Sequence, residues 1–379
     1  MSFRYMVEKI KKVWSENRIE KSKERLITVW NRKLPKDRIP FVFERIPDEN
    51  GVNIEILEAY GYSKDVNLYF QLYQLEKRAL FNDDYIPSLY VGYRQNMIPS
   101  GFGADEIIKA NGTQYWSVPI IKNPEDVYVL EEFSLNRKDS TIWLMLENMK
   151  YFRKMTENTL PIHIVDSQDS MANASTLMDV NDYLLALSTH SKEIHYLHEI
   201  CNDAIIKFIN AQIEITEGDY IPMNTFWFGW IPKGEGISVS IDILPMIGSN
   251  IVEEFVLPYL NRISNYYSGT MIHSCGKWDH NMEVIKKIEK LKGINFGVTE
   301  TDIDKVFNIY KNSVSYALLN SYVAVKPLKI QSQEEYIEKI AKIIKEKNIP
   351  AQVQIFMPTN YNLEQALELN KLALKHFSF

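Results

Sequence analysis

The sequence predicts an α/β protein that forms a single (β/α)8 TIM-type barrel with an added helical region at its amino terminus. In the second half of the chain, short apolar runs alternate regularly with amphipathic helical patterns, which is typical of parallel strands joined by helical crossovers. Eight apolar runs occur in total, and eight is the strand number of this barrel. The predicted strands are 41–43, 88–93, 161–165, 237–243, 270–274, 294–298, 314–319 and 351–357.

Helical patterns separate these strands, with apolar residues spaced three and four positions apart. The clearest predicted helices are 182–214, 250–266, 281–291, 333–347 and 363–376. Residues 1–36 are predicted to form a helical extension before the first strand, and residues 37–379 the barrel. Because no Gly-, Pro- or Ser-rich linker divides the chain, we expect one barrel domain that carries this extension.

Composition limits the classes of partner. The 379 residues carry a net charge of −6, with Lys and Arg mixed among Asp and Glu, so a basic surface for nucleic acid is not expected. The apolar runs are too short to span a bilayer, and residues 1–18 lack the apolar centre of a secretory signal. The chain has two cysteines, which disfavours a disulfide framework. The sequence therefore predicts a cytoplasmic protein that acts on a small molecule.

The segment His273-Ser274-Cys275-Gly276 follows a predicted buried strand and carries the most informative chemistry. Residues i and i+2 of a strand point to the same side, so the imidazole and the thiol leave the strand end side by side. Nitrogen and sulfur ligands suit zinc, and a glycine after them suits a turn. The competing interpretation is a buried histidine and a cysteine that only fill the core.

Two acidic residues lie where they can join this pair. Glu300 follows the next predicted strand, and because adjacent strands lie roughly 5 Å apart, its carboxylate can reach a metal held by His273 and Cys275. Alternatively, Glu300 is an acidic residue in the first turn of the helix that starts near Asp302, where negative charge is favourable. Asp242 lies in an apolar segment, where burial of an unpaired carboxylate is costly. It therefore binds a ligand, faces a cavity or accepts a backbone hydrogen bond.

Further side chains follow the predicted strand ends, where the chemistry of such barrels takes place. Aromatic residues cluster at 225–232, where they form either a pocket wall or part of the core. Three histidines, His190, His195 and His198, share a predicted helix without an acid at the spacing of zinc proteases, which favours a solvated helix face. The predicted substrate contacts are Asp166, Gln168, Trp227, Trp230, Asn320 and Met357.

Four stretches resemble segments of one protein family. They are 35–40 (PKDRIP), 98–105 (IPSGFGAD), 253–259 (EEFVLPY) and 272–276 (IHSCG). On these stretches the chain resembles the uroporphyrinogen decarboxylase superfamily, a group of (β/α)8 barrels. The Ala-Gly-Arg motif with which true uroporphyrinogen decarboxylases bind substrate carboxylates is missing from this sequence, which disfavours porphyrin decarboxylation.

The His-x-Cys-Gly segment instead resembles the zinc-dependent methyltransferases of that superfamily, which act on corrinoid-bound methyl groups and a thiol acceptor. The resemblance implies zinc bound by His273, Cys275 and Glu300, and a corrinoid carried by a partner protein. Cobalamin-independent methionine synthases have a related glutamate, which Glu300 resembles. Where the relatives have a late cysteine, this chain has 355–359 (IFMPT), so zinc would keep an open fourth position.

Three functions stay open at this point. The first is a methyltransferase in which zinc activates the acceptor while Asp242 and Asp166 orient it. The second is a metal-independent decarboxylase or lyase, in which Asp242 or Glu300 transfers a proton or stabilises a cationic intermediate. The third is a barrel that binds a small molecule without chemistry. Zinc content separates the first from the others, and turnover in the presence of chelators separates the second from the third.

Overall fold

Parallel strands form the centre of this α/β structure, and helices cover them. The computed structural model describes residues 2–44, 46–47, 64–91, 97–108, 115–222, 230–319, 330–358 and 360–379. Within these ranges the strands are β1 Phe41–Phe43, β2 Glu106–Ile108, β3 Tyr115–Ser117, β4 Ile162–His163, β5 Tyr220–Ile221, β6 Ile237–Ser240, β7 Thr270–His273, β8 Leu291–Gly297, β9 Ser315–Leu319 and β10 Ala351–Ile355.

Six strands form one parallel sheet, in the order β1-β10-β9-β8-β7-β6. Parallel sheets are normally covered on both faces, and all residues of β1, β6, β7 and β10 are accordingly buried. The strands β4 and β5 form a separate parallel pair, and β2 and β3 form an antiparallel hairpin. The predicted α/β class and the parallel arrangement of the central strands are confirmed.

Backbone hydrogen bonds extend the parallel pairing beyond the six-stranded sheet. Ser238 in β6 donates its N–H to the carbonyl of Pro222 at 3.1 Å, which links β6 to the end of β5. His163 in β4 donates to the carbonyl of Leu89, in the second predicted strand, at 2.9 Å. These bonds follow the strand order of a barrel, and the closure of eight strands into one ring stays a prediction.

Helices fill most connections between the strands, and many begin at a side chain that caps a backbone N–H, as Ser15, Ser140 and Asn362 do. Among the described residues, no helix combines the length and apolar character needed to cross a membrane. The helices are α1 Phe3–Val13, α2 Glu16–Trp30, α3 Lys64–Arg78, α4 Met97–Gly101, α5 Thr141–Met155, α6 Ser170–Leu177, α7 Val180–Thr189, α8 Ser191–Ile215, α9 Ser249–Ile251, α10 Leu257–Tyr266, α11 Met282–Ile285, α12 Ile303–Tyr310, α13 Gln333–Lys347 and α14 Leu363–Phe377.

Two predicted helices are interrupted, each for a local reason. The predicted helix 182–214 is two helices, α7 and α8, because His190 takes a non-helical conformation with φ −137° and ψ 48°. The predicted helix 250–266 contains the π-helical turn Val252–Val256. This turn ends two residues before Pro258, which has no N–H to continue the regular ladder.

The predicted strand 237–243 is too long at its carboxyl end. The strand β6 ends at Ser240, and Asp242 lies in the turn that follows. The side chain of Asp242 is 39% exposed, so the expected cost of burying this carboxylate does not arise. Its position beyond a strand end, however, agrees with the predicted location of the site.

The second amino-terminal helix, α2, covers the amino ends of central strands. Ser315, the first residue of β9, donates to the carbonyl of Val29 at 2.8 Å, and Trp30 packs against buried residues of β7 and β9. Gly293 in β8 leaves room for this indole, because a Cβ there would lie 2.8 Å from Trp30. Residues 1–36 thus contain the expected helices, and their division from the barrel as a separate unit stays a prediction.

The three histidines of the predicted helix 182–214 are not all exposed to solvent, which corrects the sequence prediction for His198. This residue is completely buried. Its Nε2 lies 2.7 Å from the Tyr183 hydroxyl, and its Nδ1 lies 3.2 Å from the Ser170 hydroxyl. Burial, with a smaller contribution from His195, lowers the pKa of His198 from 6.5 to about 3. The packing of α6, α7 and α10 against α8 covers it.

We expect the free energy of unfolding to fall as the pH drops from about 6.5 towards 3, in part because of His198. In this window the unfolded chain binds a proton at this residue that the folded protein does not bind, so each pH unit costs up to about 1.4 kcal/mol. Urea unfolding measured across this window should give a smaller pH slope for His198→Gln than for the wild type. The variant His376→Gln, at a partly exposed histidine, should keep the wild-type slope. Equal slopes in the wild type and His198→Gln would contradict this expectation.

Candidate metal centre

Three potential metal ligands converge just beyond the carboxyl ends of β6 and β7. One ligand atom each from Asp242, His273 and Cys275 lies within 4.8 Å of the other two. Nε2 of His273 is 3.2 Å from Sγ of Cys275 and 3.6 Å from Oδ1 of Asp242. We call these three residues the metal group. The structure thus brings together the two predicted ligands of the His-x-Cys segment, with Asp242 as the third member.

The strand register explains why these side chains meet. His273 is the last residue of β7 and pairs with Ser240, the last residue of β6. Both strands run in the same direction, so the turns that carry Cys275 and Asp242 leave the sheet at the same edge. The N–H of Cys275 donates to Oδ1 of Asp242 at 3.3 Å, which ties the two turns together.

Glu300 lies beside the metal group, but in this structure its carboxylate holds a turn. Its Oε2 accepts the N–H of Gly276 at 2.7 Å, while Thr301 donates its hydroxyl to the carbonyl of Gly276 at 2.9 Å. Gly276 has φ +78°, a conformation that favours glycine. The residue expected to be the third ligand therefore fixes the backbone next to Cys275, and Asp242 takes the nearer position.

The donor set of the metal group fits zinc. It offers one imidazole nitrogen, one sulfur and one carboxylate oxygen, and catalytic zinc sites commonly have three protein ligands and one open position. Partial burial of the thiol, assisted by the charges of Asp242 and Glu300, raises the pKa of Cys275 to about 12. Without a cation the thiol is therefore protonated, whereas a metal ion next to it would favour the thiolate.

Two further acids lie close to this group, in the loop after β4. Burial raises the pKa of Asp166, and the charge of Asp242 adds to the effect. Burial likewise raises the pKa of Asp169 to about 7. The N–H of Asp169 donates to the carbonyl of Ser240 at 3.0 Å, so this loop is attached to the end of β6. The predicted substrate contact Asp166 thus lies within electrostatic reach of the metal group.

The other predicted substrate contacts have different positions. Gln168 follows Asp166 in the same loop, with φ +54°, and Met357 is buried two residues beyond β10. The carbonyl of Trp230 accepts a hydrogen bond from Trp30 at 3.1 Å, which places Trp230 near the amino ends of the strands instead of beside the metal group. Trp227 and Asn320 lie outside the described residues.

Sequence reasoning missed the polar residues on the inward face of the strands. Asn295 in β8 and Gln352 and Gln354 in β10 are almost completely buried. Oδ1 of Asn295 lies 2.5 Å from Nδ1 of His273. The signal that could have found Gln352 and Gln354 is a carboxamide at every second position of a short apolar strand, as in residues 351–355 (AQVQI), because such residues share one face.

The fold is similar to that of a methyltransferase from Methanosarcina mazei. The two structures superpose with a TM-score of 0.65 and 15% sequence identity, over 94% of this chain and 97% of the other. At this identity the likeness establishes the fold and carries no residue roles. No protein family matches the sequence, and no curated protein does so.

Proposed function

We propose that this protein is a zinc-dependent methyltransferase that moves a methyl group from a corrinoid to a small thiol or related acceptor. The observation that carries the proposal is the convergence of Asp242, His273 and Cys275 at the carboxyl ends of neighbouring parallel strands. The fold likeness to a methyltransferase and the His-x-Cys-Gly segment both support it. They also support placement in the uroporphyrinogen decarboxylase superfamily, with a closed eight-stranded barrel.

The ligands would be the metal group, and the residues around it would hold it in shape. Zinc bound by these residues would act as a Lewis acid and would lower the pKa of a thiol acceptor. Glu300 and Thr301 fix the Gly276 turn and thereby the backbone of Cys275. Glu300 is close enough to influence the pKa of Cys275, so it remains a candidate for direct ligation.

Asp166 would bind the polar part of the acceptor. Its carboxylate accepts the N–H of Gln168 at 3.2 Å. It also accepts a side-chain hydrogen bond from Ser240, the last residue of β6, which holds it towards the end of this strand. Because burial raises its pKa, Asp166 is better suited than an ordinary carboxylate to take the proton that the acceptor thiol loses. The methyl donor would be a corrinoid on a partner protein, as the motif resemblance implies.

Methyl transfer can be tested with methylcobalamin as the donor and a set of small thiols as acceptors. Zinc-loaded wild type should form the methyl thioether well above the enzyme-free rate, as measured by mass spectrometry. His273→Ala should lose more than about 100-fold of this rate, because loss of even an outer partner of a metal ligand costs about 10–100-fold. His195→Ala, at a partly exposed histidine that contacts Tyr259, is the matched control. Undiminished turnover by His273→Ala, or no turnover with any thiol, would count against the proposal.

A further inference from the structure

Buried hydrogen bonds connect His273 to side chains and backbone on the next three strands of the sheet, β8, β9 and β10. Nδ1 of His273 lies 2.5 Å from Oδ1 of Asn295. Nδ2 of Asn295 donates to the carbonyl of Ala317 at 3.1 Å and to Oε1 of Gln354 at 3.3 Å. Asn295 pairs with His273 on one side and with Ala317 on the other in the strand register. The sheet itself therefore brings these groups together.

This arrangement determines which way the Asn295 amide points. A backbone carbonyl can only accept a hydrogen bond, so the Asn295 atom that faces Ala317 must be the NH₂ group. The Asn295 atom that faces His273 is then the amide oxygen, which also can only accept. Consequently the Nδ1 atom of His273 must carry a proton.

The tautomer of His273 follows directly. A neutral imidazole that is protonated at Nδ1 has its lone pair on Nε2. Nε2 is the nitrogen that lies 3.2 Å from Cys275 and 3.6 Å from Asp242. The imidazole therefore presents a lone pair, and not a hydrogen, to the metal group.

We propose that Asn295 is a positioning residue that holds His273 in the Nδ1–H tautomer and so directs its Nε2 lone pair at the metal group. The importance of this role for metal binding rests on the proposed zinc site, whereas the tautomer itself does not. Asn295 is 0% exposed, so water does not compete for the hydrogen bond. Outer partners of ligating histidines typically contribute about 10–100-fold to metal affinity.

The tautomer can be read from ¹⁵N chemical shifts of the imidazole nitrogens in the metal-free protein, at a pH where the ring is neutral. The chain has seven histidines, and the signals of His273 are those that disappear in His273→Gln. We expect a protonated Nδ1 and an unprotonated Nε2 in the wild type. Asn295→Leu removes the acceptor, and the population with a proton on Nε2 should rise.

Matched variants distinguish the hydrogen-bonding role of Asn295 from a role in packing alone. Asn295→Asp keeps an acceptor oxygen and should keep the Nδ1–H tautomer. Gln354→Met removes a partner one step further away, and because the Ala317 carbonyl still orients Asn295, the wild-type tautomer should persist. Should leucine prevent folding, Asn295→Ala removes the same acceptor without added branching, and the same spectral change is expected.

Zinc affinity, measured by competition with a chelator, provides the second readout. Asn295→Leu or Asn295→Ala should bind zinc about 10–100-fold more weakly than the wild type, and Asn295→Asp should stay closer to the wild type. An unchanged Nδ1–H signature in both acceptor-free variants would overturn the inference while leaving the zinc proposal intact. A wild type with the expected tautomer but without zinc binding would overturn the proposed function and the metal-related part of this inference, and would leave the tautomer assignment standing.

Discussion

Replacing Cys275 by alanine is expected to remove stoichiometric zinc from the purified protein. The thiol supplies one of the three ligand atoms in the metal group, and its Sγ lies 3.2 Å from Nε2 of His273. Two remaining protein ligands cannot complete the three-ligand set of a catalytic zinc site. We expect a loss in affinity of more than about 100-fold, since the loss of an outer partner alone costs about 10–100-fold. Elemental analysis after dialysis and a chelator competition titration would measure it.

The second cysteine of the chain supplies the matched control. Cys201 is completely buried in α8 and belongs to no described group of metal ligands. Cys201→Ala should therefore retain zinc, even if it unfolds at a lower urea concentration. Wild type without bound zinc, or Cys275→Ala with an undiminished zinc content, would contradict the assignment of the metal group.

A second pair of variants distinguishes the two candidate carboxylate ligands. Asp242→Asn should weaken zinc binding strongly, because Asp242 is the acid whose oxygen lies within reach of both His273 and Cys275. Glu300→Gln keeps an oxygen that can accept the N–H of Gly276, so its effect should be much smaller. If Glu300→Gln instead weakened zinc binding more than Asp242→Asn, the ligands would be His273, Cys275 and Glu300, as the motif resemblance implies.

The position of the site could be predicted because it depends on regular geometry. The two-residue period of a strand places His273 and Cys275 together, and the common direction of parallel strands brings the segments after β6, β7 and β8 to one edge. These rules need only the strand pattern, which apolar runs reveal. They explain why the sequence alone predicts Asp242 and Glu300 at this end of the sheet.

The choice between neighbouring acids depends on details that no pattern encodes. Whether Glu300 faces the metal group or the Gly276 amide is decided by side-chain rotamers and the path of one turn.

Burial of His198 depends on which helices pack against α8, and the sequence of α8 alone does not specify its neighbours. The cluster of aromatic residues predicts a substrate contact at Trp230, but packing places this residue beside Trp30.

Replacing Asp84 by alanine is expected to lower the free energy of unfolding by roughly 3–5 kcal/mol, because it breaks a buried ion pair on one side only. Asp84 has no exposed side-chain surface. Its Oδ1 lies 2.9 Å from Arg25 and 2.8 Å from Arg38, and its Oδ2 accepts the N–H of Phe41 at 3.2 Å. Alanine would leave the buried N–H of Phe41 and the two mostly buried guanidinium groups without this acceptor. Urea unfolding at neutral pH measures the loss.

Two control variants show how much of the expected stability loss comes from the burial of Asp84 and how much from its charge. Asp203→Ala removes a carboxylate that pairs with Arg262 on the surface, and it should cost less than about 1 kcal/mol. Asp84→Asn keeps the shape and one acceptor oxygen, so it should lie between the two alanine variants. An Asp84→Ala protein as stable as Asp203→Ala would contradict the expected effect.

The location of Asp84 also predicts that its replacement should not change zinc affinity. Its partners lie in α2 and at the start of β1, towards the amino ends of the strands, whereas the metal group lies beyond the carboxyl ends of β6 and β7. In (β/α)8 barrels, the closed form that we propose for this fold, the carboxyl face carries the chemistry and the amino face contributes stability. Folded Asp84→Asn should therefore bind zinc as tightly as the wild type while unfolding at a lower urea concentration. A parallel loss of zinc affinity would indicate that the two ends of the sheet are energetically coupled.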